Sequence, residues 1–265
     1  MHRRILIIDD HDDLATALSE VFHANQHSVT ALSRRSDAMK LNDLEEFDLV
    51  ITDLDVRPDN SGGGGHAVCV PDVEVTDPSA VIKAFKLCAA NYRREDFDEE
   101  ELKALVATVL DYKIRFVDKT EFVKAIRENI QFELPSAISL MHVVLEYLIK
   151  RVEKLGVCKP EKTNLYVALD EAFVNAVKHG NKFDPDKLVR ITADVSAAEA
   201  RFTIEDEGEG FDVNSIPDPL DPENLFKTSG RGVLFIYNIM DEVVYNDRGN
   251  RLTMVKKAPV ENCES

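Results

Sequence analysis

The stretch ALDEAFVNAVKHGN, residues 168–181, decides the fold of the C-terminal half of this chain. Its apolar side chains recur at the 3.6-residue period of an α-helix, which predicts one helix that buries a single stripe. Glu171 and Asn175 are four residues apart and therefore lie together on a different stripe. A carboxylate and a carboxamide in this arrangement can hold a hard cation and accept a proton, although such a pair alone more often marks a solvated helix face.

A second motif, IEDEGEGFD at residues 204–212, follows this helix along the chain. The two-residue period of a strand puts Asp206 at a strand end, on the face of its apolar neighbours. A carboxylate turned toward the core needs hydrogen-bond donors, and the exocyclic amine of adenine is one such donor. Gly208 and Gly210 let the backbone turn with positive φ and approach a ligand closely. A two-glycine turn in which Asp206 caps local amides is the alternative.

The third motif, SGRG at residues 229–232, precedes an apolar helix predicted over Val233–Met240. Glycines at a helix N-terminus expose amide N–H groups, which form an anion site together with the helix dipole. Arg231 adds a positive charge. The motif therefore predicts a phosphate-binding turn, whereas a lone Gly-x-Gly pair is more often an ordinary loop.

In this order and on these elements, the three motifs resemble the Bergerat ATP-binding fold shared by gyrase, Hsp90, histidine kinases and MutL. Within that superfamily the chain is most similar to the anti-sigma-factor serine kinases, over residues 130–258. The matching segments also include FELPSAISLMHVVLEYLIKRVEKLG and GNRLTMVKK. The resemblance implies an α/β sandwich in which helices cover one face of a mixed sheet, and it implies ATP and Mg²⁺ as ligands.

The resemblance also implies a role for each motif residue. Glu171 would be the catalytic base toward a substrate serine, and Asn175 would ligate the Mg²⁺ that accompanies ATP. Residues 211–229 would form a mobile lid over the nucleotide. Asp206 would read adenine, the glycines would shape the pocket and hold phosphates, and Thr253 would lie near the adenine edge. The implied nucleotide-binding set is Asp206, Gly208, Gly210, Gly230, Arg231, Gly232 and Thr253.

Two apolar runs in the N-terminal half each end in carboxylates. The run 5–8 precedes Asp9 and Asp10, the run 49–51 leads to Asp53, and apolar residues at helical spacing lie between the runs. This pattern predicts a βαβ unit with its strands buried in a parallel sheet. Carboxylates at the C-terminal edge of such a sheet can hold Mg²⁺ beside a phosphoaspartate, and acidic loops after buried strands are the alternative.

Residues 1–113 accordingly resemble a flavodoxin-like response-regulator receiver. The resemblance implies that Asp9 and Asp10 are ligands of a receiver Mg²⁺ and that Asp53 is the phosphoacceptor. Further along, apolar residues at helical spacing predict a helix over Ala80–Ala90.

The N-terminal half departs from the receiver pattern at two places. A glycine-rich loop at 57–66 replaces the usual helix after the phosphoacceptor strand, and Glu95 stands where a lysine is usual. A carboxylate in place of that cation makes the local field unfavourable for a phosphoaspartate. We therefore expect Asp53 to be a poor phosphoacceptor.

Composition excludes several classes of function. The 265 residues include 49 acidic and 32 basic side chains, and the net charge of −17 argues against a protein that binds nucleic-acid backbones. The four cysteines form no CxxC pair, which favours a reduced setting. No apolar run approaches the roughly 20 residues of a membrane span. We therefore expect a cytoplasmic protein without membrane contact.

Together these patterns predict an α/β protein with a receiver-like domain at 1–113, a linker at 114–129, an ATP-binding domain at 130–258 and a tail at 259–265. We expect a regulator in a two-component pathway that transfers the γ-phosphoryl group of Mg-ATP to a serine of an antagonist protein. A sigma factor is the second expected partner, and homodimerisation is left open. The alternative is a binding module in which ATP, or no nucleotide, sets the conformation that sequesters a sigma factor. A histidine kinase is disfavoured for want of a phosphoacceptor helix.

Overall fold

The computed structural model describes residues 2–56, 71, 73, 81–92, 97–118, 127–158, 164–213 and 231–259. The N-terminal elements are β1 (Arg4–Asp9), α1 (Asp13–Ala24), β2 (Ser28–Leu32), α2 (Arg35–Ala38), β3 (Leu49–Val56), β4 (Ile82–Cys88) and α3 (Glu99–Tyr112), which continues as a π-helical turn (Lys113–Val117). The C-terminal elements are β5 (Arg127–Pro135), α4 (Ile138–Lys154), α5 (Leu165–Val174), β6 (Leu188–Val195), β7 (Glu199–Asp206), α6 (Arg231–Ile239), β8 (Glu242–Tyr245) and β9 (Arg251–Lys257). Within these ranges, none of the helices combines the length and apolar character that crossing a bilayer requires.

All strands in the described ranges belong to one nine-stranded sheet with the order β2-β1-β3-β4-β5-β6-β7-β9-β8. β2, β1 and β3 are parallel, as the sequence predicts. β4 runs antiparallel to β3 and parallel to β5, and the remaining neighbours are antiparallel. The prediction of a parallel, flavodoxin-like sheet in the N-terminal half is therefore wrong at β4.

Strand β4 also corrects the helix predicted over Ala80–Ala90. Six of the seven residues of Ile82–Cys88 are buried, because both faces of the strand are covered. A short, nearly continuous apolar run has no diagnostic period, since a buried strand and a buried helix both produce it. The spacing of the apolar residues could therefore not separate the two.

The sheet continues across the predicted domain boundary. β4 lies in the predicted receiver-like part, and it pairs with β5, whose first residues, Arg127–Asn129, fall in the predicted linker. In the described part of the chain, residues 114–129 therefore do not separate two sheets. The division into domains stays a sequence-based prediction.

Helices α1, α3, α4, α5 and α6 lie on one face of the sheet and share one hydrophobic core with it. On β6 and β7 buried side chains alternate with partly exposed ones, so these strands bury only the face toward the helices. We call the opposite face the outer face. This arrangement agrees with the predicted mixed sheet that helices cover on one face. In the N-terminal half, α2 packs on the outer face over a second cluster around Leu6, Ile8 and Val50.

Five charged side chains form a continuous chain between the sheet and the helices, which we call the buried ion chain. The Lys113 amine lies 2.7 Å from the Asp53 carboxylate on β3 and 3.3 Å from Asp118. The Arg151 guanidinium on α4 lies 2.9 Å from Asp118 and donates its Nε–H to Glu128 on β5 at 2.9 Å. Burial alone would lower the pKa of Lys113, but Asp53 and Asp118 raise it well above its ordinary value, so the amine is charged. Burying these charges is tolerable only because each faces an opposite charge.

Replacing Asp53 by asparagine tests the buried ion chain. The substitution keeps the size of the side chain but leaves the Lys113 amine without its nearest carboxylate. Removing one partner of a buried pair costs about 3–5 kcal/mol. We expect the free energy of unfolding to fall by that amount in a urea titration followed by circular dichroism.

Asp111→Asn is the matched control, because Asp111 pairs with Arg115 at 2.8 Å on the exposed surface of the same helical segment. Exposed pairs four residues apart contribute only about 0.3–0.5 kcal/mol. Equal losses for Asp53→Asn and Asp111→Asn would contradict the role given to the buried ion chain.

Candidate nucleotide-binding site

A cavity of about 390 Å³ opens at the C-terminal end of α5, beside the end of β7 and the start of β9. Its volume is ordinary for a small-molecule site. Asn175 lines it from the first sequence motif, Asp206 and Gly210 from the second, and Val233 from the helix that follows the third. The fold thus brings the first two motifs and the helix after the third to one cavity.

The helix that bears Asn175 changes its geometry at that residue. α5 is α-helical through Val174, and Asn175–Gly180 forms a π-helical turn. Such widened turns are frequent at functional sites. After the turn, the fully buried Asn181 donates to the Leu188 carbonyl at 2.9 Å and accepts the Glu207 N–H at 2.8 Å. The end of the helix is therefore tied directly to the turn that follows Asp206.

Asp206 is half-buried at the end of β7, where its side chain lines the cavity. Its Oδ1 accepts the Gly208 N–H at 2.8 Å, so the local capping interaction considered from the sequence is present. Burial raises the pKa of Asp206, and the Gly208 N–H and the nearby Arg248 oppose that rise. The Asp206 carboxylate therefore caps the local turn and also forms a polar part of the cavity wall.

The turn after Asp206 leaves no room for larger residues. Gly210 has φ of +78°, and a Cβ there would lie 1.9 Å from the Arg248 carbonyl oxygen. Arg248 in turn donates from Nη2 to the Gly208 carbonyl at 2.7 Å, and its own carbonyl accepts the Phe211 N–H at 3.1 Å. The β8–β9 connection thereby packs closely against the 208–211 segment. Gly210 has the predicted positive φ and lines the cavity, whereas Gly208 has neither property.

Glu171 and Gly232 come together although the sequence separates them widely. A Cβ at Gly232 would lie 2.2 Å from Oε2 of Glu171, so the carboxylate sits against the first turn of α6. The helix neighbours of Glu171, Ala172 and Asn175, line the cavity. A carboxylate is thus next to the turn at which phosphates are expected. Three parts of the predicted phosphate site and lid lie outside the described residues: Gly230, the side chain of Arg231 and residues 214–229.

Known proteins are similar in sequence to the C-terminal part of this chain. The sequence model of the family described as "Histidine kinase-like ATPase domain" matches residues 135–256. The Serine-protein kinase RsbW of Staphylococcus epidermidis is 26% identical over 145 residues, 51% of this chain and 89% of that protein. The Anti-sigma F factor of Geobacillus stearothermophilus is 34% identical over 113 residues, 40% of this chain and 76% of that protein. The chain belongs to the histidine kinase-like ATPase family.

One predicted nucleotide contact of this ATPase needs correction. Thr253 pairs with Thr203 across β9 and β7, and their hydroxyl oxygens lie 3.2 Å apart on the outer face. Asp206 and Ile204 point to the opposite face, which Leu252 shares. Leu252 lines the cavity, and Thr253 does not. Thr253 therefore lies on the face of the sheet away from the cavity, because adjacent positions of a strand face opposite sides.

Two aromatic residues at the ATPase cavity were missed by the sequence analysis. Phe211 and Tyr245 both line the cavity, and their rings meet edge to face with centroids 5.3 Å apart. Burial raises the pKa of Tyr245 to about 12, so its hydroxyl is neutral at physiological pH. Phe211 directly follows Gly210, so its position next to a predicted site glycine could have indicated it. Tyr245 lies far along the chain, and no local pattern connects it to Phe211.

The predicted receiver carboxylates meet at one sheet edge, where Asp9 and Asp53 are register partners. Asp9 accepts N–H donors from His11, Leu14 and Ala15, the latter two in the first turn of α1. Asp10 accepts the Asp55 N–H at 3.0 Å. In the described part of the chain, no three or more His, Cys, Asp or Glu side chains are grouped as a metal site. The assignment of Asp9 and Asp10 to Mg²⁺ therefore stays a sequence-based prediction.

The charge around Asp53 differs from the sequence expectation. Glu95 lies outside the described residues, and the group that faces Asp53 is the buried amine of Lys113, sixty positions along the chain. The expectation that the site lacks a cation is therefore wrong. The sequence missed Lys113 because the contact depends on where the π-helical turn after α3 packs.

Gly180→Ala tests the junction between α5 and Asp206. A Cβ at Gly180 would lie 2.3 Å from Cγ of Asp206, so the added methyl group must displace the carboxylate. We expect Mg-ATP binding to become undetectable by calorimetry while the protein stays folded.

Gly156→Ala is the matched control for this substitution. A Cβ added at Gly156 would meet no atom of the described residues within 4 Å, and the φ of +79° there affects only stability. Unchanged ATP affinity in Gly180→Ala would contradict the placement of the nucleotide beside Asp206.

Proposed function

We propose that the chain binds Mg-ATP in the cavity beside Asp206 and transfers the γ-phosphoryl group to a serine of an antagonist protein. The convergence of Asn175, Asp206 and the Glu171–Gly232 contact around one cavity carries the proposal. The similar protein named Serine-protein kinase RsbW supports the choice of reaction.

Three groups at the candidate site have a defined task in this reaction. Asp206 accepts the N–H of the adenine amine, which orients the nucleotide. Glu171 accepts the proton of the serine hydroxyl as its oxygen attacks the γ-phosphorus. The bond between that phosphorus and the β,γ-bridging oxygen breaks, and ADP leaves. The amides at the start of α6 stabilise the negative charge on the phosphates, which is the main contribution in phosphoryl transfer.

Asn175 is the residue that would hold Mg²⁺. Its carboxamide oxygen is a ligand type that Mg²⁺ accepts, and this ion commonly takes one or two protein ligands together with phosphate oxygens and water. Asn175 lines the cavity and can supply one such oxygen, which fits this mode of Mg²⁺ binding. When bound, Mg²⁺ would neutralise part of the negative charge of the phosphates.

A binding module is the second candidate function. In that case ATP sets the conformation in which the protein sequesters a sigma factor, and no phosphoryl group is transferred. The relatives named Anti-sigma F factor favour this alternative. It differs from the kinase in one respect that can be measured, which is the need for the Glu171 carboxylate.

The proposed setting is a cytoplasmic two-component pathway in which an antagonist protein and a sigma factor are the partners. The net charge of −17 supports protein partners over nucleic acid. Homodimerisation is a further element of the proposal. We also propose that residues 1–113 act as a receiver-like control element, coupled to the ATPase through the shared sheet rather than through phosphorylation of Asp53.

Three substitutions separate nucleotide binding, phosphoryl transfer and the contribution of Mg²⁺. Asp206→Ala removes the adenine acceptor, and we expect it to abolish Mg-ATP binding in calorimetry. Glu171→Ala should leave the ATP affinity largely unchanged and lower transfer from labelled ATP to an antagonist protein by roughly 10²–10⁴, which is the usual contribution of a general base. Asn175→Ala should weaken only the Mg²⁺-dependent part of binding.

Asp170→Ala is the control for Glu171→Ala, because Asp170 is the adjacent carboxylate on the same helix and faces His142 at 3.3 Å. We expect its transfer activity to equal that of the wild type. Equal transfer by Glu171→Ala and wild type would favour the binding module, whereas absence of ATP binding in the wild type would overturn both candidates.

Asp53 should resist phosphorylation even though a cation faces it. Its carboxylate is 6% exposed and already paired with Lys113, so a phosphodonor can reach it only after that pair opens. We expect no stoichiometric mass increase when the protein is incubated with acetyl phosphate and Mg²⁺, under conditions that label a standard receiver. Rapid labelling mapped to Asp53 by peptide mass analysis would restore an ordinary phosphorylation switch.

A further inference from the structure

Four charged side chains cross the outer face of the sheet from β4 to the turn after Asp206. The Lys86 amine on β4 lies 3.2 Å from Glu133 on β5. Arg190 on β6 donates its Nε–H to Glu133 at 2.8 Å and its Nη2–H to Glu207 at 2.8 Å. We call Lys86, Glu133, Arg190 and Glu207 the outer charge row. Its two cations and two carboxylates alternate along the row.

The row is more than a set of ordinary surface pairs. The side chains of Glu133 and Lys86 are only 7% and 11% exposed, so their charges need opposite charges nearby, and Glu133 has both Lys86 and Arg190. Arg190 presents one guanidinium to two carboxylates, a geometry for which its planar fork is suited. Exposed ion pairs usually contribute little, but this row joins the buried carboxylate of Glu133 to the partly exposed Glu207 through one bridging arginine.

The row ends on the peptide that carries the adenine acceptor. Glu207 directly follows Asp206, and its Oε2 accepts the Leu188 N–H at 3.0 Å while its own N–H binds Asn181 at 2.8 Å. Both carboxylate oxygens of Glu207 are thus bound to β6, and its backbone is bound to the end of the π-helical turn. Glu207 is therefore held at both its side chain and its backbone, directly next to Asp206.

The row begins outside the segment that the ATPase family matches. That match spans residues 135–256, whereas Lys86 and Glu133 precede it. We propose that Glu207, held by Arg190, is a positioning residue for Asp206, and that the outer charge row couples strand β4 to adenine recognition. The proposal rests on the proposed function, because it assumes that Asp206 reads adenine.

Paired measurements with ATP and ITP in the full-length protein test the proposal. ITP has an oxygen in place of the adenine amine, so it reports on the phosphate contacts without the interaction at Asp206. We expect Arg190→Gln to raise the Kd of Mg-ATP roughly tenfold, within the range of ordinary coupling between linked sites. The Kd of Mg-ITP should stay unchanged. Arg190→Lys keeps the charge but loses the fork, and should restore part of the ATP affinity.

Arg201→Gln is the matched control, because Arg201 is an outer-face arginine of similar exposure that pairs with Glu199 at 3.4 Å. We expect both nucleotide affinities of that variant to equal those of the wild type. Thermal unfolding of each variant, followed by circular dichroism, checks that the fold is retained.

Lys86→Met tests the far end of the row. Without the amine, Glu133 attracts Arg190 more strongly and weakens its hold on Glu207, so the Kd of Mg-ATP should rise by a smaller factor. In the Arg190→Gln background the same substitution should have no further effect on this Kd, because the connection is already broken.

The outcomes distinguish the proposed function from the role of the outer charge row. Failure of the wild type to bind ATP would overturn the proposed function and the inference with it. ATP binding that is insensitive to Arg190→Gln, or an equal loss of ATP and ITP affinity, would overturn the inference and leave the proposed function intact. Additive effects of Lys86→Met and Arg190→Gln would refute the coupling to β4.

Discussion

The charged amine of Lys113 is buried beneath the sheet, and the packing of the helices depends on neutralising it there. Asp53 and Asp118 supply the opposite charge, and Asp118 also faces Arg151 on α4. Because a buried charge tolerates little displacement from its partners, the buried ion chain fixes the end of α3 and the position of α4 against β3 and β5. α4 packs on α5, which carries Glu171 and Asn175. The position of the candidate nucleotide-binding site therefore depends on a lysine that lies far from it.

Elements with a distinct period were predictable from the sequence, and elements without one were not. The alternation in β6 and β7 and the apolar stripe of α4 follow from one-sided burial, which leaves a pattern of period 2 or 3.6. β4 is buried on both faces and has no such pattern. Its pairing with β5 also depends on contacts between residues about 45 positions apart, which no local rule describes.

The same distinction applies to the site. Glu171 and Asn175 could be recognised together because a helix brings residues four apart into contact. Thr253 was misassigned because a one-residue shift in a strand exchanges its two faces, and only the register with β7 reveals which face is which. Lys113 and Asp53 are sixty positions apart, so the cation at that sheet edge became visible only in the folded chain. Asp9 keeps its predicted place but caps α1 with its carboxylate.

Two charge systems cross the junction of β4 and β5 on opposite faces of the sheet. On the helix face, Glu128 and Asp118 neutralise Arg151, and on the outer face Lys86 and Arg190 neutralise Glu133. A fragment that began at residue 130 would lack Asp118, Glu128 and Lys86, and so would separate both systems while leaving every ATP-site motif in place. Buried Arg151 would then lose these two carboxylates, which is costlier than losing exposed pairs. A fragment chosen from the motifs alone would therefore break buried charge pairs that the full chain keeps intact.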